Sequence, residues 1–333
     1  MSFPPGDTTT RPRAIHALMS GLIDYAGLFP PAKVQMGPCV ANYAGYLASP
    51  ESWMLGRFIL PVSRIEEFRK AAASFLPKRI DDEEPPDPSR APWPISAISD
   101  GDLDEDLDCI FAFNGEHADE QSGLAVIDAV EIKVPPVSAS DPSPSVDFIE
   151  NALDIMAEGV YPFFELPLAG GGADLRGPIA ALAGADAAAK VRTGGVTPEA
   201  IPSSHRIAEF IVACAQADVP FKATAGLHHA VRAEFNLTYE KGSPRAVMHG
   251  FLNVFIASAM VREYHLVAEE AARILDESDP AAFAFEEGGG SIAWGPGRLD
   301  TEQIERAREM FALSYGSCSF EEPVQELRAM GLV

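Results

Sequence analysis

The sequence predicts an α/β fold, a (β/α)8 TIM-type barrel with an extended helical carboxyl-terminal region. Two observations lead to this prediction. Short apolar segments typical of buried strands alternate with segments of helical periodicity along most of the chain. Residues 188–229 form a strand–helix–strand pattern, which requires a parallel sheet. A length of 333 residues suits one such barrel.

The predicted strands are short, largely apolar and bounded by glycine, proline or polar residues. They lie at 21–32, 53–62, 93–99, 129–135, 161–168, 188–195 and 219–229, and the best candidate for the eighth strand is 291–295. Helices are predicted where apolar residues recur every three or four positions. They lie at 37–49, after Ser63, at 103–111, 145–158, 174–185, 197–217, 247–275 and 301–314. The helix at 197–217 is expected to start at Thr197, with Pro198 at its first helical position.

We expect residues 1–333 to form a single domain. Residues 1–13 look like a flexible polar arm, and the acidic, proline-rich stretch 77–94 is expected to be a loop. The strand–helix rhythm resumes directly after that loop, so it does not mark a domain boundary. The apolar stretch around Phe251 and Val254 fits either a contact in a homo-oligomer or a helix packed on the side of the barrel.

Charge and cysteine content narrow the range of partners. A formal net charge of −24 argues against nucleic acid or an anionic membrane, because no basic surface is available to meet phosphates. No apolar run is long enough to cross a bilayer, and the first residues lack the apolar segment of a secretion signal. The four cysteines have neither metal-type nor disulfide-type spacing. We therefore expect a cytoplasmic protein with a small-molecule partner and no cofactor.

Lysine is rare in this chain, and its positions are informative. Only seven lysines occur, and three of them, Lys133, Lys190 and Lys222, fall in predicted core strands. A buried lysine has a lowered pKa, and a second cation nearby lowers it further. Such an amine can attack a carbonyl and form a Schiff base. The alternative is that these lysines end their strands and reach solvent.

Alternation along the strands predicts which side chains meet inside the barrel. Residues two apart share a face, and active sites of this fold lie at the carboxyl ends of the strands. The polar residues expected to converge there are Asp24, Glu131, Lys133, Glu165, Lys190, Arg192, Lys222 and Thr224. The set is close to neutral, so a buried salt-bridge network that only fills the barrel is a second interpretation.

His228 and His229 follow the seventh strand, and at most one of them is expected to face the pocket. That histidine would act as a general acid or as a ligand for substrate or metal. A divalent metal held by Glu165, Asp24 and one histidine is therefore an alternative, although no motif with metal-type spacing is present. A third alternative is a non-catalytic barrel that binds an anionic metabolite.

The order of these segments resembles the deoxyribose-phosphate aldolase family and its class I aldolase relatives. IDYAGLFPPA (23–32) is similar to that family's first-strand motif, and AVEIKV (129–134) and FFELP (163–167) resemble its fourth and fifth strands. AAKVRTGG (188–195) is similar to its Schiff-base strand, and VPFKATAG (219–226) to its seventh strand. The resemblance covers roughly residues 20–230.

The resemblance implies a lyase in which Lys190 forms an imine with a small carbonyl substrate. It implies that Lys222 lowers the pKa of Lys190 and that Glu131 and Asp24 transfer protons. Apart from the resemblance, we expect the substrate, including its carboxylate or phosphate group, to be bound by Arg192, Lys133, Glu165, Thr224 and one of the histidines His228 and His229. The sequence departs from the family at Arg192, where a small hydroxyl residue is usual, and after the seventh strand. Residues 230–333 have no counterpart there, although they must complete the barrel.

Overall fold

The structure is a computed structural model of the 333-residue chain. It describes residues 13–78, 91–118, 122–135, 141–156, 158–168, 174–286 and 289–333. The arm predicted at 1–13 therefore lies outside the described residues except for Arg13, which begins a helix. Most of the predicted loop at 77–94 also lies outside them. Within the described residues, no helix combines the length and the apolar character that a membrane crossing needs.

Buried, mostly apolar segments form the strands. In chain order they are β1 (Ile23–Tyr25), β2 (Leu55–Pro61), β3 (Trp93–Ile98), β4 (Ala125–Lys133), β5 (Tyr161–Leu166), β6 (Ala188–Arg192), β7 (Phe221–Thr224), β8 (Ala233–Asn236), β9 (Arg245–Met248), β10 (Ala284–Phe285), β11 (Ser291–Trp294), β12 (Gly297–Asp300) and β13 (Ala312–Ser317).

The helices lie between these strands and pack their apolar faces on the outside of the barrel. They are α1 (Arg13–Met19), α2 (Met36–Leu47), α3 (Ile65–Ala72), α4 (Leu103–His117), α5 (Ser143–Ile155), α6 (Arg176–Leu182), α7 (Ser204–Ala217), α8 (Phe251–Tyr264), α9 (Ala268–Leu275), α10 (Thr301–Met310) and α11 (Glu321–Ala329).

Eight parallel strands close the barrel in the order β1, β13, β7, β6, β5, β4, β3, β2. Every neighbouring pair around the ring is parallel. The predicted (β/α)8 TIM-type barrel is therefore confirmed. Because both faces of such strands are covered, β1 and β6 are buried along almost their whole length.

The prediction of the eighth strand was wrong. Residues 291–295 contain β11, the middle strand of a small antiparallel sheet with β10 and β12. The barrel is closed instead by β13, which pairs with β1 and β7. Its inward position at Ser314 is polar and Gly316 has no side chain, so the segment lacks the apolar run expected of a core strand. At Gly316 an added Cβ would lie 3.0 Å from the Thr224 hydroxyl, so the close approach of β7 favours glycine.

Helix α7 starts later than predicted, which matters for the surface around it. Pro198 and the next two residues form a single 3-10 turn, and α7 begins at Ser204 with the Ser203 hydroxyl accepting a hydrogen bond from the Arg206 amide. Pro202 explains the delay, because the residue before a proline is pushed out of the helical region. The loop between β6 and α7 is therefore longer than the sequence suggested.

The carboxyl-terminal third is built around α8. Residues 251–261 of this helix are all buried within the single chain, where they contact α9, α10 and β13. The interpretation as a helix packed on the barrel is therefore correct for residues 251–261, and the homo-oligomer stays a prediction. The β8–β9 hairpin is inserted between β7 and α8, on the side of the barrel where the strands end.

Candidate active site in the barrel interior

Two lysines lie side by side inside the barrel. Lys190 on β6 and Lys222 on β7 are register partners, and only 4% and 1% of their surfaces are exposed. Their burial agrees with the prediction that these lysines are inside. Lys133 differs, because it occupies the last position of β4 and is exposed. A strand-end lysine can extend to solvent, so that part of the lysine prediction was wrong.

A single carboxylate, that of Glu131, joins the two lysines. Glu131 Oε1 lies 2.6 Å from Lys222 Nζ, and Glu131 Oε2 lies 2.7 Å from Lys190 Nζ. The group is only 3% exposed, so these ion pairs are shielded from water. Each ammonium group faces an oxygen of the same carboxylate, which fixes the two amines relative to one another.

Each lysine also has a second carboxylate of its own. Lys222 Nζ lies 2.6 Å from Asp24 Oδ2 on β1, and Lys190 Nζ lies 2.5 Å from Glu165 Oε2 on β5. The other oxygen of Asp24 accepts a hydrogen bond of 2.7 Å from the amide of Arg57. These contacts, with those of Glu131, tie six strands, β1, β2, β4, β5, β6 and β7, together across the barrel.

Three members of this site were not predicted from the sequence. The Ser96 hydroxyl donates to Glu131 at 2.9 Å, and the Ser314 hydroxyl donates to Asp24 at 2.7 Å. The ring of Phe163 lies 5.1 Å from Lys222 Nζ, at a cation–π distance. Each occupies an inward position of its strand, so alternation along β3, β5 and β13 was the available signal.

Below the charged groups the interior is filled by apolar side chains. Ala129, Phe163 and Ala188 form a small buried cluster, and each lies two residues before a network residue on β4, β5 or β6. Small residues on two strands leave room for the Phe163 ring on the third. The network therefore lies on top of an apolar layer, towards the carboxyl ends of the strands.

The network favours the charged forms of Glu131 and Lys190. Burial alone would raise the pKa of Glu131, but the ammonium groups of Lys190 and Lys222 outweigh it and bring the pKa to about 2. Burial would lower the pKa of Lys190, but Glu131 and Glu165 outweigh burial and leave it raised. The expectation that Lys222 lowers the pKa of Lys190 was therefore wrong, because Glu131 stands between the two cations.

Arg192 and Lys133 lie at the mouth of the barrel. Both are exposed, and together with Glu165 they line a cavity of about 190 Å³ whose other wall includes Ala200. Two lysines and three carboxylates give the inner network a formal charge of −1. Arg192 and Lys133 at the mouth bring the formal charge of the whole set to +1, so the set is close to neutral, as expected. Thr224 is half-buried beside Arg192 in register and packs against Gly316.

The two histidines make their polar contacts elsewhere. His229 Nδ1 lies 2.5 Å from Glu326 of α11, and its ring stacks on Phe235. His228 is buried, and its Nδ1 lies 3.7 Å from the Cys318 sulfur. Burial, and secondarily the charge of His229, lowers the pKa of His228 to about 4. In the described chain, no hydrogen bond or ion pair links either histidine to the lysine network.

Within the described ranges, no group of three or more histidine, cysteine, aspartate or glutamate side chains is arranged to hold a metal ion. Glu165 and Asp24, the carboxylates named for such a site, each pair with a different lysine.

The fold and the site define a class, a (β/α)8-barrel protein with a buried network of two lysines and three carboxylates. No family model matches the sequence, and no curated protein matches it. Among solved structures, the chain is similar to the Bacillus cereus spore cortex-lytic enzyme SleL, with a TM-score of 0.36 and 10% identity. That match covers 93% of this chain and 74% of the other, and similarity at this level carries no information about activity.

Proposed function

We propose that this barrel is a class I aldolase-like lyase in which Lys190 forms a Schiff base with a small carbonyl substrate. The observation that supports this most is the pair of lysines on adjacent strands that share the Glu131 carboxylate. Buried amines held at the carboxyl ends of barrel strands are suited to imine chemistry. The resemblance of segments 23–32, 129–134, 163–167 and 188–195 to the deoxyribose-phosphate aldolase family points the same way.

Imine formation requires that the Lys190 ammonium lose a proton. Glu131, whose pKa is about 2, is a poor acceptor for it at neutral pH. Glu165 is the better candidate, because its Oε2 lies 2.5 Å from Lys190 Nζ and its side chain borders the mouth cavity. The free amine then adds to the carbonyl carbon, and loss of water from the adduct gives the imine.

The remaining groups have supporting roles in this proposal. Glu131 holds both amines in position, and Lys222 supplies positive charge beside the oxygen that leaves as water. Asp24 and the Ser314 hydroxyl form the proton path on the far side of Lys222. These assignments keep Asp24 and Glu131 in the site but give the first proton transfer to Glu165.

The mouth of the barrel limits the substrate. A cavity of about 190 Å³ is small for a ligand pocket, which suits a carbonyl compound of a few carbon atoms. Arg192 and Lys133 border this cavity, so the substrate is proposed to carry a carboxylate or phosphate group.

Trapping with borohydride tests the proposal. The protein is incubated with glyoxylate, pyruvate, acetaldehyde or glyceraldehyde 3-phosphate, reduced, and read by intact mass and peptide mapping. We expect one stable adduct at Lys190, its absence in Lys190→Met, and slower trapping in Lys222→Met. Lys241→Met, which removes an exposed lysine, should trap like the wild type. No adduct with any compound, or an equal adduct in Lys190→Met, would rule out the imine.

One observation favours a non-catalytic alternative, a barrel that binds an anionic metabolite. The pKa of Lys190 is raised, so this amine is a cation at rest and its charge is already compensated. A binding site of this kind should retain ligand without turnover and should tolerate Lys190→Arg, which keeps the charge but cannot form an imine.

A further inference from the structure

The size of the mouth cavity narrows the class of substrate. Its volume of about 190 Å³ equals that of about six water molecules, at about 30 Å³ each. On the same scale it holds a ligand of about six or seven non-hydrogen atoms, the size of an oxo acid of about four carbon atoms. A triose phosphate has about ten such atoms and would extend beyond the cavity.

Two cations without a partner border this cavity. Lys133 and Arg192 both line it, and both residues are exposed, so a ligand can reach them. Among the described residues, neither side chain forms an ion pair or a hydrogen bond. They flank Glu165, because Lys133 is its register partner on β4 and Arg192 lies two residues beyond its register partner Lys190 on β6. An anionic group placed between them can accept hydrogen bonds from both.

The charge of the site matches a monoanion. The inner network has a formal charge of −1, and Lys133 and Arg192 bring the whole set to +1. A carboxylate makes the set neutral. A phosphate ester carries nearly two negative charges at neutral pH and would leave the set negative. Because an uncompensated charge is costly in a site partly removed from water, a carboxylate is the better anion.

The rest of the described wall is apolar. Its side chains contain only carbon and hydrogen, and they belong to Val134, Leu166, Pro167, Leu168 and Ala200. The main chain adds few donors, because the amide of Val134 donates to the carbonyl of Glu165 and Pro167 has no N–H. A ligand hydroxyl against this wall would lose its hydrogen bonds to water without gaining others. The wall therefore favours an alkyl chain.

We infer that the substrate of this site is a short aliphatic oxo acid, that is, a carboxylate with an alkyl chain that carries no hydroxyl group. The carboxylate accepts hydrogen bonds from Arg192 and Lys133, the alkyl chain lies against Pro167 and Ala200, and the carbonyl group faces Lys190. The last contact rests on the proposed imine, whereas the selection of an aliphatic carboxylate does not. A sugar phosphate has the hydroxyl and phosphate groups that this cavity does not match.

Binding of four carbonyl-free probes to the full chain tests this selection without any imine. Butanoate has both the carboxylate and the alkyl chain, butanamide lacks the charge, 3-hydroxypropanoate has a hydroxyl in place of the methyl group, and ethyl phosphate replaces the carboxylate. Ligand-observed NMR titrations give the dissociation constants. We expect butanoate to bind at least about tenfold more tightly than each of the others, as the loss of one favourable contact would give. Equal affinity for 3-hydroxypropanoate or ethyl phosphate, or no binding of butanoate at tens of millimolar, would overturn the inference.

Variants assign the binding to the mouth cavity. Arg192→Met and Lys133→Met should each weaken butanoate binding about tenfold, because each removes a charge-assisted hydrogen bond. Lys241→Met, which removes an exposed lysine between β8 and β9, should bind butanoate like the wild type. Ala200→Ser adds a hydroxyl to the wall, so the preference for butanoate over 3-hydroxypropanoate should fall at least about threefold. Unchanged affinity in both charge variants would place the ligand elsewhere and contradict the inference.

Borohydride trapping separates this inference from the imine itself. 2-Oxobutanoate and hydroxypyruvate have the same size and differ only in a methyl group against a hydroxyl. With each rate divided by that of a free lysine derivative, 2-oxobutanoate should be trapped at least about tenfold faster. Equal relative rates would support the imine and overturn the inference. No adduct from either compound, together with selective binding of butanoate, would rule out the imine and support the selection of an aliphatic carboxylate.

Discussion

The two ends of the barrel each bury a cationic centre, but they neutralise it in different ways. At the carboxyl ends of the strands, Lys190 and Lys222 pair with carboxylates from three strands. At the amino ends, the Arg308 guanidinium donates to main-chain carbonyls of Leu18, Ser20, Ala312 and Leu313.

This difference in partners indicates which end of the barrel can take part in a reaction. A main-chain carbonyl cannot gain or lose a proton near neutral pH, so the Arg308 centre can only hold α1, α10 and β13 together. Burial lowers the pKa of Arg308 to about 9, and the group still stays charged at neutral pH. Carboxylates and amines exchange protons, so the lysine centre can respond to a substrate. This matches the usual division of the barrel into a stabilising and a reactive face.

The largest expected effect is a loss of stability on replacing Arg308, at the amino ends of the strands. Arg308→Met should lower the free energy of unfolding by about 4 kcal/mol, because several buried carbonyls lose their donor at once. Since none of these carbonyls titrates, the loss should be the same at pH 5 and pH 8. Urea denaturation at both values measures it.

Arg306→Met is the matched control for this comparison. Arg306 lies on the same helix, but it is about half exposed and pairs with Glu302. Its removal should change the free energy of unfolding by no more than about 0.5 kcal/mol. An Arg308→Met loss no larger than that of the control would mean that the amino end is not held by this guanidinium.

The second prediction concerns the contribution of Glu131, in the lysine network, to the stability of the fold at low pH. The pKa of Glu131 is about 2 in the folded chain against an ordinary 4.5, so its stabilisation is complete above pH 4.5 and disappears as the pH falls towards 2. The full difference is worth about 3 kcal/mol, of which about 2 kcal/mol is lost by pH 3. The stability advantage of the wild type over Glu131→Gln should therefore shrink by that amount between pH 7 and pH 3.

Glu131→Gln is suitable for this measurement because each lysine keeps one carboxylate, Asp24 or Glu165. Asp174→Asn serves as the exposed comparison. The pKa of Asp174 is also lowered to about 2, chiefly by its hydrogen bond to Arg176, but that pair lies in solvent. Salt should screen the exposed pair and leave the buried one. A wild-type advantage that does not vary with pH would show that Glu131 is not held ionised by the lysines.

The residues whose position inside the barrel was predicted correctly are those that stand out from the local sequence pattern. Lysine inside an apolar strand is conspicuous, and alternation alone groups Glu131, Glu165 and Lys190 on the inner face. The fold class followed from the same alternation of strands and helices. Charged residues in otherwise apolar strand segments can therefore be identified from the sequence.

The rest depended on contacts between distant segments. Ser96 and Ser314 look ordinary in sequence, and only the closed barrel brings them to carboxylates on other strands. The sign of the pKa shift at Lys190 was predicted wrongly, because it depends on whether Lys222 or Glu131 lies nearer. The eighth strand was misplaced because its small and polar residues face the charged interior rather than an apolar core.

The smallest expected effects sharpen the comparison within the reactive end. Ser96→Ala and Ser314→Ala should each lower the free energy of unfolding by about 1–2 kcal/mol, because each removes a hydrogen bond to a buried carboxylate. Both carboxylates also hold Lys222, so the double variant should differ from the sum of the single ones by at least about 0.5 kcal/mol. Urea denaturation of the four proteins gives the coupling directly.

Ser258→Ala is the control, because it deletes the same atom from an equally buried serine. The Ser258 hydroxyl donates to the Val254 carbonyl one turn earlier in α8, a contact that adds little to a helix in which alanine is favoured. Its replacement should be nearly neutral. If Ser258→Ala were as harmful as Ser96→Ala, or if the two network serines were strictly additive, the lysine centre would be a set of independent contacts. It would then resemble the Arg308 centre, and its carboxylates would not act as one unit on the two amines.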